Sequence, residues 1–273
     1  MSTLVNNLHT AIRRYCFERY AYWTSKYSEL GRAGRDRMGS RYTDEALSTF
    51  PRNNVLEAIR QELERYRPED FSDLEEARAF FQLAAMQAEN SFTKSHLDGV
   101  KSKAMAEERE VVANFIGNLS EEDLVSVEPL PYCRVLGTEE GAILRKNLLL
   151  RWGIDKDYWF PLSDEPRPAR VEAFQDKYFE KEVGEKRIRA ILEKHGVGKI
   201  WEILEGDVDY EIDVTYLRPQ YTGVEGIWFD DDLDWIIYAS HERSITIGGW
   251  LLDEVKAIWP NWEERVWTTW EFD

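Results

Sequence analysis

Residues 226–258 read GIWFDDDLDWIIYASHERSITIGGWLLDEVKAI, and this stretch decides the fold. Three runs rich in β-branched and aromatic residues are separated by short turns, which is typical of neighbouring antiparallel strands. These runs lie at residues 226–229, 235–239 and 244–247. The pair Gly248–Gly249 then precedes an apolar helical pattern from Trp250 to Ile258. The sequence therefore predicts an antiparallel sheet closed by a helix.

Upstream of this stretch, the pattern predicts two more strands and two helices. The strands are expected at Lys199–Leu204 and Tyr210–Leu217, and the helices at about residues 170–182 and 185–195. The segment PLSDEPRPA at residues 161–169 contains three prolines, so it is expected to be an extended or turned linker.

The first part of the chain has the apolar spacing of helices. An amphipathic helix is predicted from Leu4 to about Leu30, and Gly31 is expected to end it. The following GRAGRDRMGSRY is interpreted as an exposed basic loop, with arginines at Arg32, Arg35, Arg37 and Arg41. Such a loop is either a solvated connector or a site for an anionic partner.

Further helices follow this predicted loop. Thr43 is expected to cap a helical turn, and Pro51 to begin a separate helix that extends through Leu63. Another helix is predicted from Val100 to Ile116. After that helix the character of the sequence changes at EPLPYCRVLG, residues 128–137, where prolines surround a short apolar run. We therefore predict a helical region over residues 1–125 and an acidic α+β region over 126–273.

The predicted fold class is α+β, with a helical N-terminal region packed on a C-terminal region that contains an antiparallel sheet and helices. A chain of 273 residues is also compatible with one continuous domain.

The charge of the chain limits its partners. The formal net charge is −17, of which −4 falls in residues 1–136 and −13 in residues 137–273. A strongly acidic half repels nucleic acid and anionic membranes and attracts basic partners, so nucleic-acid binding is disfavoured. Cys16 and Cys133 are too few for a disulfide framework, and the N-terminus has no signal-like apolar run. We therefore expect a soluble cytoplasmic protein without a membrane partner.

The acidic residues concentrate between Glu205 and Asp234, where ten carboxylates oppose only Arg218. One interpretation is a recognition surface for a basic protein partner, and the other is a set of charged turns and strand edges that maintain solubility. The residues predicted to bind a partner are Asp230, Asp231, Asp232, Asp234, Glu211 and Asp213.

A catalytic interpretation uses the same region. Imidazole titrates near neutral pH, so His241 is a candidate general base, with Glu242 or Asp234 as its orienting carboxylate. Neighbouring side chains on a strand point to opposite faces, so His241 and Glu242 need not meet.

Metal and cofactor sites lack their usual sequence patterns. The run D-D-D-L-D at residues 230–234 could supply oxygen ligands for a metal-assisted reaction, but it lacks the glycine and glutamate of an EF-hand. The four histidines form no zinc-binding pair. Gly248–Gly249 has neither a P-loop lysine nor a dinucleotide-binding pattern. We therefore predict no metal site and no cofactor.

Seven of the 11 tryptophans lie between Trp228 and Trp270. Tryptophan is largely buried on average, so most of these are expected in the core. Trp259, Trp262 and Trp267 are also candidates to line a partner site, because aromatic rings combine a large contact area with few rotatable bonds.

The segment from Gly226 to Trp262 contains the elements W-F-D-D-D-L-D-W-I-I-Y, S-H-E, T-I-G-G and W-P-N-W. With these elements it resembles the C-terminal part of small bacterial immunity proteins, which neutralise toxin domains. The resemblance covers a small part of the chain. It implies an intracellular binding protein and carries over no catalytic residues.

Overall fold

The computed structural model describes residues 2–35, 43–94, 99–155, 159, 170–206 and 208–267. The chain divides into two compact units, Met1–Leu130 and Pro131–Asp273, so the division falls a few residues after the predicted cut near residue 125. The first unit is helical and the second combines a sheet with helices, which confirms the predicted α+β class. Each helix within these described ranges is too short or too polar to span a bilayer.

The described helices of the first unit are α1 (Ser2–Arg35), α2 (Asp44–Leu63), α3 (Leu74–Gln87), α4 (Gly99–Asn118) and α5 (Glu121–Val125). Their apolar faces meet in one core, to which Leu8, Ile12, Ile59, Phe81 and Ile116 belong. The helix predicted at Val100–Ile116 is therefore confirmed as α4.

The predicted end of the first helix at Gly31 is wrong. Helix α1 continues to Arg35, so Arg32 and Arg35 belong to a helix and not to a loop. A glycine inside a helix costs only about 1 kcal/mol relative to alanine, which does not stop a long helix. The rest of the predicted basic loop, with Arg37 and Arg41, lies outside the described residues.

The separate helix predicted after Pro51 is also wrong, because α2 runs through Pro51 without a break. Thr43 caps α2 as predicted, and its hydroxyl oxygen accepts a hydrogen bond from the Ala46 backbone at 3.3 Å. Proline lacks an N–H and so removes one hydrogen bond of the helix. Buried residues on both sides of Pro51 keep the helix packed against the core.

The described elements of the second unit are β1 (Cys133–Val135), α6 (Thr138–Trp152), β2 (Val171–Gln175), α7 (Asp176–Glu182), α8 (Gly184–Lys194), β3 (Lys199–Leu204), β4 (Tyr210–Asp213), β5 (Gly226–Phe229), β6 (Trp235–Ser240), β7 (Ser244–Gly249) and α9 (Trp250–Ile258). The strands form one antiparallel sheet in the order β1-β4-β3-β5-β6-β7-β2. Ile227 lies opposite Tyr238, and Ile237 lies opposite Ile247. The predicted pairing among the last three strands is therefore confirmed.

Both faces of the sheet contribute to apolar cores. Residues of α7, α8 and α9 pack on one core, including Phe179, Leu192 and Val255. Leu148 of α6 belongs to a second core with Ile227 and other strand residues. Strands β5, β6 and β7 are consequently buried at every position, and apolar residues predominate in them, although Ser240, Ser244 and Thr246 are buried as well.

Two predictions for the second unit need correction. The helix predicted at residues 170–182 begins only at Asp176, because Val171–Gln175 forms the edge strand β2, in which Phe174 pairs with Ile245. This pairing with a strand distant in sequence overrides the local helical pattern. The strand predicted at residues 210–217 ends at Asp213 and continues as a 3-10 turn over Val214–Tyr216. The predicted linker at residues 161–169 lies outside the described residues.

Candidate functional site

The turn between β5 and β6 carries four of the predicted partner-binding residues, Asp230, Asp231, Asp232 and Asp234. It is closed by a hydrogen bond from the Leu233 backbone N–H to the Asp230 carbonyl at 3.2 Å. Leu233 has a positive φ of 53°. Asp230 is partly buried, and the other three aspartates are exposed. The turn therefore brings four carboxylates to one end of the central strands.

Tryptophan indoles fix three of these carboxylates. The bonds run from Trp235 Nε1 to Asp230 Oδ2 at 2.6 Å, from Trp201 Nε1 to Asp231 Oδ1 at 2.8 Å, and from Trp250 Nε1 to Asp234 Oδ1 at 2.7 Å. The three indoles come from β6, β3 and the start of α9. Hydrogen bonds from N–H groups to ionised carboxylates are stronger than those between neutral groups. The orientation of these side chains is thus set by elements outside the turn.

The four aspartates of the turn line a cleft of about 610 Å³. Its other walls are the connection from α8 to β3, with His195 to Gly198, and the side chains of Lys199, Trp201, Glu211 and Trp250. The His195 ring stacks on Trp250 with ring centroids 4.2 Å apart. The cleft therefore combines carboxylates with aromatic rings.

The cleft has an excess of negative charge. None of the ion pairs between described residues involves the four aspartates of the turn, although Lys199 pairs with Glu211 at 3.6 Å. Burial raises the pKa of Asp230 above its ordinary value, and the neighbouring charges of Asp234 and Asp232 raise it further. Hydrogen bonds from the Trp235 indole and the Asp232 backbone act in the opposite direction.

Glu211 lines the cleft, but other groups hold its carboxylate. Tyr132 donates to Glu211 Oε2 at 2.7 Å and Arg134 Nε donates to the same oxygen at 3.1 Å. Burial alone would raise the pKa of Glu211, but these two bonds, together with the charges of Lys199 and Arg134, lower it. The negative charge of Glu211 is therefore largely balanced by Arg134 and Lys199 of the same unit.

Asp213 is not among the residues that line the cleft. Its side chain caps the 3-10 turn that follows β4, where it accepts hydrogen bonds from the Thr215 backbone at 2.9 Å and the Thr215 hydroxyl at 2.6 Å. Of the six residues predicted to bind a partner, the structure thus brings together the four aspartates and Glu211.

His241 lies in the turn between β6 and β7, at the opposite end of β6 from Asp234. Its Nδ1 contacts Glu225 Oε1, and Glu225 is almost fully buried. The Glu225 carboxylate also accepts hydrogen bonds from the Tyr238 hydroxyl and, at 3.1 Å, from Ser240. The structure pairs His241 with Glu225, which the sequence pattern did not identify because it lies upstream in a loop.

Glu242, the other candidate partner of His241, follows it in the same turn. Its backbone N–H donates to the Ser240 hydroxyl at 3.2 Å, and its carbonyl accepts from the Trp267 indole at 3.1 Å. Within the described residues, no group of three or more His, Cys, Asp or Glu side chains has the arrangement of a metal site.

The tryptophans of the cleft differ from those expected to line a partner site. Trp201 and Trp250 line it, whereas Trp259 is buried in the core and donates to Glu182 at 2.7 Å. Trp250 lies directly after Gly248–Gly249, and this position is the one feature of the sequence that could have identified it as a cleft residue. Trp201 is far from the aspartates along the chain, so no local pattern could have identified it. Only the sheet order brings Trp201 to Asp231.

Neither the cleft nor the cluster around Glu225 can be assigned through a relative, because no protein-family model, curated protein or solved structure matches this chain.

Proposed function

We propose that this chain is a cytoplasmic protein-binding module that recognises a basic protein through the aspartate cleft of its second unit. The resemblance to immunity proteins suggests the class of partner, a basic toxin or effector that is neutralised by binding. The observation that carries the proposal is the turn of four aspartates with no ion-pair partner among the described residues.

Electrostatics supports this function. A net charge of −13 over residues 137–273 creates a long-range field that attracts a basic protein and speeds its association. The charged rim of an interface acts mainly on the association rate and on specificity. The indole hydrogen bonds favour binding as well, because carboxylates that are already oriented lose little side-chain entropy when a partner arrives.

The proposal is tested by affinity capture with a charge-matched pair of variants. One variant carries Asp230→Asn, Asp231→Asn and Asp232→Asn in the cleft. The control carries Glu180→Gln, Glu193→Gln and Glu263→Gln, which removes the same charge from exposed positions that do not line the cleft. Basic proteins retained from a bacterial extract at low ionic strength are then identified by mass spectrometry.

We expect the wild type and the control to retain the same basic protein, and the cleft variant to lose it. Retention should fall as salt rises, because exposed charges are screened beyond about 10 Å at 0.1 M salt. Equal retention by all three proteins would contradict a role for the cleft, and the absence of any basic protein would contradict the proposed function.

A second candidate function is general-base catalysis at His241. The observation that favours it is the contact of His241 with the buried Glu225 carboxylate, since a carboxylate that accepts from one ring nitrogen fixes the tautomer of the imidazole. This arrangement requires Glu225 in place of the partners Glu242 and Asp234 predicted from the sequence.

This candidate predicts an activity that depends on both residues of the pair. In a screen of hydrolysable esters and phosphoesters, turnover should fall about 100-fold or more in His241→Gln and also in Glu225→Gln. His195→Gln provides the control, because His195 is a histidine with a carboxylate neighbour outside this cluster. Turnover that survives in His241→Gln, or no turnover of any substrate, counts against the enzyme.

A further inference from the structure

Two carboxylates of the cleft, those of Asp231 and Asp234, are oriented to accept hydrogen bonds from a bound donor as well as to attract positive charge. Each indole bond occupies one oxygen of Asp231 and Asp234, and both side chains are exposed. A carboxylate oxygen accepts more than one hydrogen bond, so both groups retain acceptor capacity for an incoming donor. The donor that matches fixed, planar carboxylates best is a guanidinium group, which presents its N–H groups in a planar fork.

The aromatic walls favour the same ligand. Trp201 and Trp250 are partly buried and line the cleft beside the aspartates that they hold. Indole rings attract cations, and a guanidinium stacks on them while its edge still donates hydrogen bonds. The His195 ring already stacks on one face of the Trp250 indole, so an incoming guanidinium would contact the part of this indole that His195 leaves uncovered.

The carboxylate of Asp230 is incompletely hydrogen-bonded. Its Oδ1 atom is buried and has no hydrogen-bond partner of normal geometry within the described residues. Burial of this carboxylate is the largest cause of its raised pKa, which means that its ionised form is poorly compensated. A cation in the cleft would stabilise the ionised form through the field, without reaching the buried oxygen itself.

We propose that the cleft is a receptor for a single arginine side chain of the basic partner, in which Asp231 and Asp234 accept its hydrogen bonds and Trp201 and Trp250 contact its planar face. This inference rests on the proposed protein-binding function and names the group that is recognised. Lysine fits less well, because its ammonium is compact and strongly hydrated and cannot stack on an indole as a plane.

The indole N–H groups are themselves reporters for the test. The probe is Nα-acetyl-arginine methylamide, titrated into the full ¹⁵N-labelled protein while the indole resonances are followed by NMR. The matched probes are the corresponding lysine compound and the citrulline compound, which has nearly the shape of arginine without the charge. We expect saturable shifts of the Trp201 and Trp250 indoles with arginine, smaller shifts with lysine and none with citrulline. The resonance of the Trp259 indole, which donates to Glu182 outside the cleft, should not shift.

A variant confirms the site. Asp231→Asn keeps the shape of the side chain and removes its charge, so it should weaken arginine binding about tenfold or more. Glu193→Gln removes a charge outside the cleft and should leave the affinity within about twofold.

Equal shifts with arginine and citrulline, or shifts that spread to the Trp259 indole, would overturn the arginine receptor. The absence of any arginine-dependent shift would do the same. If the cleft variant still loses a basic partner in the capture experiment, only the arginine inference fails and protein binding stands. If arginine shifts the two indoles but no basic protein is captured, the proposed function fails while the binding site remains.

Discussion

Replacing Glu108 with alanine should destabilise the helical unit by about 3–5 kcal/mol, the range typical of an ion pair that loses one buried partner. Glu108 is fully buried between α1, α2 and α4. Its carboxylate accepts hydrogen bonds from Arg19 Nη2 at 2.8 Å, from the Trp23 indole at 3.1 Å and from Arg52 Nη1 at 3.3 Å. Alanine would leave the two guanidinium groups without the buried charge that balances them.

The neighbouring Glu107 provides the control for this prediction. It bonds to the same arginine, Arg52, but its side chain is 46% exposed. An exposed pair contributes about 0–1 kcal/mol, so Glu107→Ala should have little effect. The measurement is urea unfolding followed by far-ultraviolet circular dichroism. Similar losses in the two variants would show that the burial of Glu108 does not decide its contribution.

The second large effect is expected at Gly249, which joins β7 to α9. Its φ of 73° and ψ of −152° lie in a region that is nearly restricted to glycine, and a non-glycine residue there costs about 1–3 kcal/mol. A Cβ atom at this position would also overlap the backbone carbonyl of Asp234. Gly249→Ala should therefore destabilise the second unit by about 3 kcal/mol or more.

Gly153→Ala provides a comparison without the steric overlap. Gly153 ends α6 with the same φ of 73°, but its ψ of 15° lies in the left-handed helical region, which other residues adopt at moderate cost, and a Cβ atom added there would meet nothing within 4 Å. It should lose only the conformational part, about 1–2 kcal/mol. Gly249→Ala should also disturb the cleft, because Gly249 contacts Asp234 and directly precedes Trp250, and both of these residues line the cleft. Thermal unfolding measures the stability, and the Trp250 indole resonance reports the cleft. Equal losses in both variants would contradict a steric role for the Asp234 carbonyl.

Local patterns in the sequence predicted those elements whose neighbours along the chain are also their neighbours in space. The last three strands and α9 follow one another directly, and their predicted bounds agree closely with the structure. The pattern failed where a distant partner decides the conformation. Val171–Gln175 is a strand because it pairs with β7, and nothing in its own residues shows that partner.

The candidate site shows the same limit. The four aspartates stand out in the sequence, and the turn that carries them follows from the strands on either side. The Trp201 partner of Asp231 depends on the sheet order, in which β3 lies beside β5 although β4 separates them along the chain. The pairing of His241 with Glu225 depends on the register of β5 and β6, which places Gly226 opposite Ala239 and so brings Glu225, the residue before β5, to the end of β6. Side-chain partners of this kind require the three-dimensional arrangement.

The association rate of the captured basic partner tests the central claim most directly. It should be measured at about 20 mM and about 300 mM salt, where exposed charges are weakly and strongly screened. For the wild type and the Glu180, Glu193 and Glu263 control, we expect the rate to fall steeply with salt. The Asp230, Asp231 and Asp232 variant should associate about tenfold more slowly at low salt, with a smaller change in dissociation rate. Equal association rates for all three proteins at low salt would contradict recognition through the aspartate cleft.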